Sequence, residues 1–285
     1  MHSQLPALRI VDSHDMRIGD GFEAKHFNES MFDGLLDPVV MVDHFHMTSP
    51  TFAPHPHAGI SAVTYMFEDS TGPHVNYDSL GNHGPIRPGD LHWFVAGRGA
   101  VHTEQPEGKG DHVHALQIFV NLPARLKFCE PYAVRLDAAD VPAYEAPGTR
   151  VRVVAGQWQG FSSPVTLPTP FLLLDGFLEH RAKISHTVPE DWHATILVVQ
   201  GTLHVIDQTG HRTLTTGQAL AVSGAAELEL AGDGTGTHIA LLSGPALREP
   251  IAKHGPFVMN TQAELIDRIR AYEAGELGHV DLVAP

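Results

Sequence analysis

The sequence predicts an all-β protein, and three observations support that prediction. Its 27 glycines and 21 prolines follow no triplet period, which is typical of tight turns between many short strands. Strand-like runs recur at short intervals between these turns. A faint internal repeat indicates a duplicated barrel. With 285 residues and 42% hydrophobic content, the chain is long enough for two modest cores.

The predicted strands are apolar runs bounded by turn residues, the rhythm of sandwiches and barrels. In order, they cover residues 60–67, 74–80, 91–95, 113–122, 151–155, 171–178, 195–199, 203–207 and 239–243. One short helix is predicted at about 261–275, because Thr261 and Glu264 form a capping box worth about 1 kcal/mol. Leu265, Ile266 and Ile269 would share its apolar face, packed across a barrel or a domain seam.

The internal repeat aligns residues 77–90 with 205–218, an offset of 128 residues from Gly89 to Gly217. Both copies have a hairpin with a histidine at its turn, His83 and His211. We therefore expect two domains, 1–135 and 136–285, with the helix at the end of the second. A partial exchange of end segments between the domains is an alternative.

Charge and composition exclude several classes of function. The formal charge of −15 repels phosphate backbones and no stripe of Lys and Arg offsets it, so we expect no direct binding of nucleic acid. Cys129 is the only cysteine, which excludes an intrachain disulfide and a cysteine-based zinc cluster. No run of roughly 18 apolar residues occurs, so we expect a cytoplasmic protein without a membrane span.

Two pairs of metal-ligand residues each have the spacing i, i+2: His55 with His57, and His102 with Glu104. In an extended strand such residues project from the same face, so all four could meet at one ion. Imidazoles and one carboxylate suit a redox-capable first-row metal better than calcium or magnesium. Because the chain has 21 histidines, scattered surface histidines are the alternative interpretation.

The repeat offset carries these four positions onto the second half of the chain. There they become Lys183, Ser185, Leu230 and Gly232, which are not a set of metal ligands. We therefore expect the C-terminal domain to hold no metal.

Seven segments together resemble the pirin family of the cupin superfamily, over nearly the whole chain. They are LDPVVMVD (36–43), PHPHAG (54–59), PGDLHW (88–93), AGRGAVHTE (96–104), LQIFVNLP (116–123), PALREP (245–250) and HGPFVMNT (254–261). The resemblance implies a bicupin, with two antiparallel jelly-roll β-barrels packed face to face. It also implies an iron site in the first barrel at His55, His57, His102 and Glu104. Fe(II) is the expected metal, and Mn, Co, Ni, Cu or Zn could also bind.

The family implies two roles, and the residues leave both open. One is a quercetin 2,3-dioxygenase type of enzyme, which opens a flavonol-like aromatic substrate with O2 and in which Glu104 could accept the enol proton as a catalytic base. The other is a redox-sensing iron protein that regulates protein partners without turnover. A cupin that only stores or tolerates metal is the third interpretation.

The pocket differs from the common pirin pattern His-Arg-Gly-Phe-Glu-Thr-Val, because this chain has Ala58, Ile60 and Ser61 at the Arg, Phe and Glu positions. The difference concerns residues around the ligands, not the ligands themselves. Apolar residues that could wall an aromatic-sized pocket, or simply form barrel core, are Phe45, Ile60, Val63, Phe94 and Ile118. Polar residues that could contact a ligand there are Asp43, His46 and Gln117.

Overall fold

The computed structural model describes residues 6–108 and 110–280. The all-β prediction is confirmed, since 56% of the residues lie in strands and 8% in helices. The strands, in chain order, are β1 (Leu8–Asp12), β2 (His14–Ile18), β3 (Phe22–Asn28), β4 (Val39–Met47), β5 (His55–His57), β6 (Ile60–Met66), β7 (His74–Asp78), β8 (His83–Ile86), β9 (Leu91–Val95), β10 (Ala100–Pro106), β11 (Val113–Asn121), β12 (Tyr132–Leu136), β13 (Ala143–Ala146), β14 (Thr149–Ala155), β15 (Gln157–Trp158), β16 (Phe161–Ser162), β17 (Leu172–Leu178), β18 (Lys183–Val188), β19 (Trp192–Asp207), β20 (Gly210–Thr215), β21 (Gln218–Ser223), β22 (Ala226–Pro245), β23 (Ala252–His254) and β24 (Phe257–Met259).

The helix α1 (Gln262–Glu273) lies where the sequence predicts it. Thr261 accepts a hydrogen bond from the backbone N–H of Glu264, and the Glu264 side chain accepts one from the backbone N–H of Thr261. Leu265 is buried, but Ile266 is 47% exposed, so the prediction that Ile266 shares the buried face is wrong. Within the described residues, no helix is long and apolar enough to span a membrane.

The chain forms two compact units, each assembled from three segments. The first unit comprises Asp15–His26, Val39–Ala139 and the described part of Leu247–Pro285; the second comprises the described part of Met1–His14, Phe27–Pro38 and Asp140–Ala246. The main boundary between the units, at Ala139 and Asp140, lies close to the expected division at residue 135, and the units also exchange end segments. The exchange has two physical causes: β1 pairs with β21 of the second unit, and Leu265 of α1 packs in a cluster with Ala58 and Val101 of the first unit.

Two larger sheets and the β23–β24 pair form the described part of the first unit. One has seven strands in the order β12-β9-β6-β11-β4-β3-β2, and the other has four in the order β5-β10-β7-β8. Their central pairs are antiparallel, so side chains alternate between the two faces of each sheet. Buried apolar residues such as Phe45, Met66 and Ala115 form part of the core of this unit.

The second unit is built around a nine-stranded sheet. Seven strands lie in the order β1-β21-β19-β22-β17-β14-β13, and β18 and β20 pair with β22 and β19 respectively. The repeat seen in the sequence recurs here as structure, because the offset of 128 places β5 on β18, β8 on β20 and β9 on β21. Gly89 and Gly217 both have a positive φ, 87° and 82°, at the turn before the equivalent strand. Duplication of one supersecondary pattern explains this correspondence.

Candidate metal centre

The β5–β10 ladder brings three of the four predicted ligands together. His55 lies directly opposite His102 in the antiparallel register, and His57 lies on the same face of β5 as His55. The ligand atoms of these three histidines all lie within 4.8 Å of one another. The Nε2 atoms of His57 and His102 are 2.9 Å apart. The structure therefore places these three predicted histidines side by side.

Neighbouring groups hold the rings in place. Phe94 stacks on His102, with ring centroids 4.9 Å apart and planes 6° from parallel. Phe119 meets the His57 ring edge-on at 5.0 Å. His55 donates its Nδ1–H to the carbonyl oxygen of Ala53 at 2.9 Å, which leaves Nε2 with a free lone pair. A hydrogen bond of this kind fixes the ring and its tautomer in metal-binding histidines.

Burial holds two of the rings neutral. The pKa of His57 lies well below its usual 6.5, mainly because the ring is buried and secondarily because His102 and His55 are close. Burial also lowers the pKa of His102 to about 3, although the nearby Glu104 carboxylate opposes this shift. Neutral imidazole is the form that binds metals, so these side chains fit a divalent transition ion.

Glu104 lies beside this group but does not belong to it. Its side chain is buried, and its Oε1 atom is 4.0 Å from His102 Nδ1. The carboxylate instead accepts hydrogen bonds from His92 Nδ1 at 2.8 Å and from the Thr64 hydroxyl at 2.5 Å. The predicted set of three histidines and one glutamate is therefore present in the same cavity, with three members together and the carboxylate turned to other donors.

The charge of Glu104 follows from these neighbours. Burial raises the pKa of this carboxyl, but the hydrogen bond from His92 and the proximity of His102 and His74 outweigh burial and hold the pKa well below its usual range. Glu104 is thus an anion at neutral pH. Its negative charge lies 4.0 Å from the His102 ring.

Sequence reasoning missed two further histidines at this site. His92 lies on β9 directly opposite Thr64 of β6, so a cross-strand pair supplies both donors to Glu104. His74 is buried, with its Nε2 atom 3.7 Å from Glu104 Oε2. Both lie on predicted strands. In the sequence, each of these two histidines is a polar residue in an otherwise apolar run. That pattern does not indicate which residue the histidine contacts.

An aromatic-lined cavity of about 140 Å³ lies over the metal-ligand group. Its lining residues are Phe22, Met41, Asp43, Phe45, Met47, Phe52, His55, His57, His74, His102, Glu104, Gln117 and Phe119. Asp43 and Gln117 are thus correctly placed by the sequence, as is Phe45. Asp43 is held by His26, whose Nδ1 lies 2.6 Å from its carboxylate.

The other predicted wall residues lie elsewhere. Val63 and Ile118 are a cross-strand pair on the opposite face of the sheet from Thr64 and Gln117. Ile60 packs with Val40 and Val258, and Phe94 stacks on the His102 ring. His46 is on the far face of β4 from Phe45, so its predicted contact with a bound ligand is wrong.

In the second unit, the equivalent strands carry other side chains. Lys183 and Ser185 lie on β18, and Leu230 and Gly232 lie on β22, which pairs with it. The pairing is shifted by one residue from the offset of 128, because Leu230 lies opposite Ile184, and Lys183 lies opposite Ala231.

Comparison with known proteins agrees with this architecture. Residues 14–120 match the family model "Pirin", and residues 173–278 match "Pirin C-terminal cupin domain". Pirin of Rattus norvegicus is 34% identical across 86% of this chain and 84% of its own length. The pirin-like protein At1g50590 of Arabidopsis thaliana is 36% identical across 83% of this chain and 78% of its own.

This chain belongs to the pirin family. As in its family models, a cupin domain recurs in each half, so this pirin-family chain is a bicupin. Among solved structures, a quercetin 2,3-dioxygenase from Acinetobacter baumannii superimposes with a TM-score of 0.84 and 28% identity, over 95% of this chain and 97% of that one. Pirin relatives and the histidine group together suggest a divalent metal.

Proposed function

We propose that this pirin-family chain is a metal-dependent dioxygenase of the quercetin 2,3-dioxygenase type, acting on a flavonol-like substrate. The observation that carries the proposal is the convergence of three imidazoles under an aromatic-lined cavity. Likeness to a quercetin 2,3-dioxygenase over almost the whole chain supports it. In this reaction both atoms of O2 enter the ring-opened product and the ring loses one carbon as carbon monoxide.

His55, His57 and His102 would hold the metal, for which Fe(II) is our first choice. When bound, such an ion supplies a Lewis acid and a redox-capable centre for O2. The same imidazoles would also accept Mn, Co, Ni, Cu or Zn, because affinity alone does not select iron. Glu104 is our proposed fourth ligand, since a rotation of its side chain away from Thr64 and His92 would bring its charge toward the histidines.

The cavity limits how a substrate enters. Its volume of about 140 Å³ is below the roughly 300–1,000 Å³ common for sites that enclose a whole ligand. A flavonol would therefore place only its reacting ring between Phe22, Phe52 and Phe119 and leave the rest toward the opening. Aromatic walls contact a flat ring over a large area and exclude water from the reacting edge.

Glu104 would also receive the proton of the substrate's enol. As a buried anion it is in the correct protonation state, but two hydrogen bonds weaken it as a base. Substrate binding that displaces the Thr64 hydroxyl would restore its basicity. Glu104→Gln separates the two roles that we propose. It lowers kcat about 10²- to 10⁴-fold with metal content unchanged if Glu104 only moves the proton, and it lowers metal content as well if Glu104 is a ligand.

Oxygen uptake tests the proposal directly. Iron-loaded protein should consume O2 in step with the loss of quercetin absorbance, and His57→Gln together with His102→Gln should abolish both iron binding at this centre and activity. His211→Gln, an exposed change in the second unit, is the matched control and should leave both intact. A protein with one iron per chain that leaves quercetin untouched contradicts the proposal. Partner capture that then changes with the iron oxidation state would favour the redox-regulatory role.

A further inference from the structure

A second group of histidines lies on the first unit, away from the cavity. His44 and His46 are two residues apart on β4, and His114 lies directly opposite His46 on β11. The ligand atoms of these three side chains all lie within 4.8 Å of one another. Because side chains alternate along a strand, this group occupies the face of β4 opposite to Asp43 and Phe45, which line the cavity.

We propose that His44, His46 and His114 form a second metal site, suited to Zn²⁺ or a similar divalent transition ion. The Nε2 atoms of His44 and His114 are 2.7 Å apart, at hydrogen-bond distance, so an ion that replaced the shared proton would have both nitrogens within reach. His44 and His114 are buried, and His46 is half-buried. Three rings held at such separations are a nitrogen-rich ligand set that imidazole-binding metals prefer.

Two groups around the site orient its rings. Asp69 accepts a hydrogen bond from His114 Nδ1 at 2.7 Å, which leaves the Nε2 atom of a neutral His114 with its lone pair toward His44. His46 Nδ1 lies 3.0 Å from His112 Nε2, and the two rings are stacked. A carboxylate or a second polar group behind the ring is the usual support of a metal-ligating histidine.

The surroundings allow a cation to enter. His46 and His112 line an open cavity of about 180 Å³, whose other lining residues include Asp20 and Glu23. Arg17 also lines the cavity and pairs with Glu23 at 3.2 Å, so one net negative charge, that of Asp20, would attract a divalent ion to the opening. On the inner side, Phe67 closes the site, with its ring centroid 4.6 Å from that of His114 and 6.0 Å from that of His44. The site thus has a dry floor and an anionic entrance.

A bound ion would join β4 to β11 on the outer face of their ladder. Both strands also line the cavity, through Asp43 and Phe45 on β4 and through Gln117 on β11. The second ion would therefore be structural, and its chemistry is independent of the proposed dioxygenase reaction. The sequence has the spacing i, i+2 at His44/His46 and again at His112/His114. The proposed function uses neither of these two pairs.

Zinc stoichiometry tests this inference with tag-free, full-length protein. In a His57→Gln/His102→Gln background, isothermal titration with Zn²⁺ should give one bound ion per chain. Adding His46→Gln should weaken that binding at least about 100-fold, and adding Asp69→Asn instead should weaken it about tenfold. Asp69 is largely exposed, so its replacement leaves the core intact.

His204 and His211 supply the matched control. Their rings are also close, at 3.2 Å between nitrogen atoms, but they are a pair on the second unit. Replacing both with Gln should leave zinc binding unchanged. In the otherwise wild-type chain, His46→Gln should remove one equivalent of zinc, a comparison that does not depend on the double variant folding. Zinc binding that is absent in folded His57→Gln/His102→Gln protein, or that His46→Gln leaves unchanged, overturns the inference.

Discussion

His102 is the residue in which the chemistry of the metal centre is most concentrated. It faces His57 through Nε2, stacks on Phe94 and lies 4.0 Å from Glu104. The ring is buried and neutral, with its pKa lowered to about 3. A neutral ring can bind a metal. Because the folded state keeps this ring neutral, however, acid lowers the free energy of unfolding.

The metal-free protein should therefore lose stability as the pH falls from about 6.5 toward 3. The unfolded chain binds a proton at His102 as the pH passes about 6.5, whereas the folded chain does so only near 3, so the free energy of unfolding decreases across that interval. One such group contributes up to about 1.4 kcal/mol per pH unit. Urea unfolding of chelator-treated protein at several pH values measures this, and His102→Gln should flatten the dependence. Equal slopes for both proteins would contradict the assignment.

Lys127 is a second buried residue with a decisive role. Its ammonium donates hydrogen bonds to the carbonyl oxygens of Gly59 at 2.8 Å and Val258 at 2.7 Å, and to Asn121 Oδ1 at 2.5 Å. Burial lowers its pKa to about 8, although Glu249 and Glu264 oppose the shift. Lys127 thus links the loop after His57, a proposed metal ligand, to the C-terminal segment of the same unit.

Replacement of Lys127 by Met should lower the free energy of unfolding of the first unit by about 3 kcal/mol, because three buried acceptors lose their donor. Trp93 is the only one of the chain's three tryptophans in this unit, so its fluorescence follows the unit's unfolding. Lys183→Met is the control. That ammonium is half exposed and pairs with Glu229, so the change should cost below about 1 kcal/mol. Equal effects of the two changes would show that the buried bonds contribute nothing.

At the scale of elements, the turn from β5 to β6 positions the ligand strand. Gly59 has a φ of 75°, and a Cβ atom there would collide with the backbone oxygen of Val258 and lie 2.7 Å from Met259 Sδ. Only glycine satisfies both demands. Gly59 follows His57 by two residues, so a shift of this turn would also displace His57.

Gly59→Ala should therefore lower both stability and metal content. Gly81→Ala is the matched control, because Gly81 has a similar φ of 85° but nothing within 4 Å of an added Cβ. Backbone strain alone costs about 1–2 kcal/mol, and the control should show only that loss. Metal analysis and thermal unfolding of both variants provide the comparison. Full metal occupancy in Gly59→Ala would contradict a turn that positions His57.

The elements that the sequence predicted well are those with a local cause. The capping box of Thr261 and Glu264 determines where α1 begins, and its bounds agree with prediction. The burial of Ile266 was wrong because helical periodicity alone does not say how wide the packed stripe is. Similarly, the two predicted strands 195–199 and 203–207 are one strand, β19, since its bends at residues 199 and 201 interrupt the pairing without ending the strand.

At the scale of the whole molecule, the fold could be predicted from the repeat and the family resemblance, whereas the exchange of end segments could be raised only as an alternative. It depends on which sheet edge accepts β1 and on where α1 docks, both of which are set by distant residues. Spacing within a single strand predicted that His55 and His57 share a face, and that His102 and Glu104 do. Contacts between different strands, such as His92 with Glu104, left no such mark in the sequence.

The sequence did not predict the second histidine group, for the same reason. His44 and His46 have the spacing that identified the first site, and so do His112 and His114, but no sequence pattern indicated that β4 and β11 are neighbours. The predicted cytoplasmic location, the native metal and any protein partner stay predictions, because each depends on something outside the chain.

The most direct measurement of the central claim is anomalous diffraction at the iron edge from crystals of iron-loaded protein. We expect a peak within about 2.0–2.2 Å of one ring nitrogen of each of His55, His57 and His102. A map with no peak among those three rings, from protein that demonstrably carries iron, would contradict it.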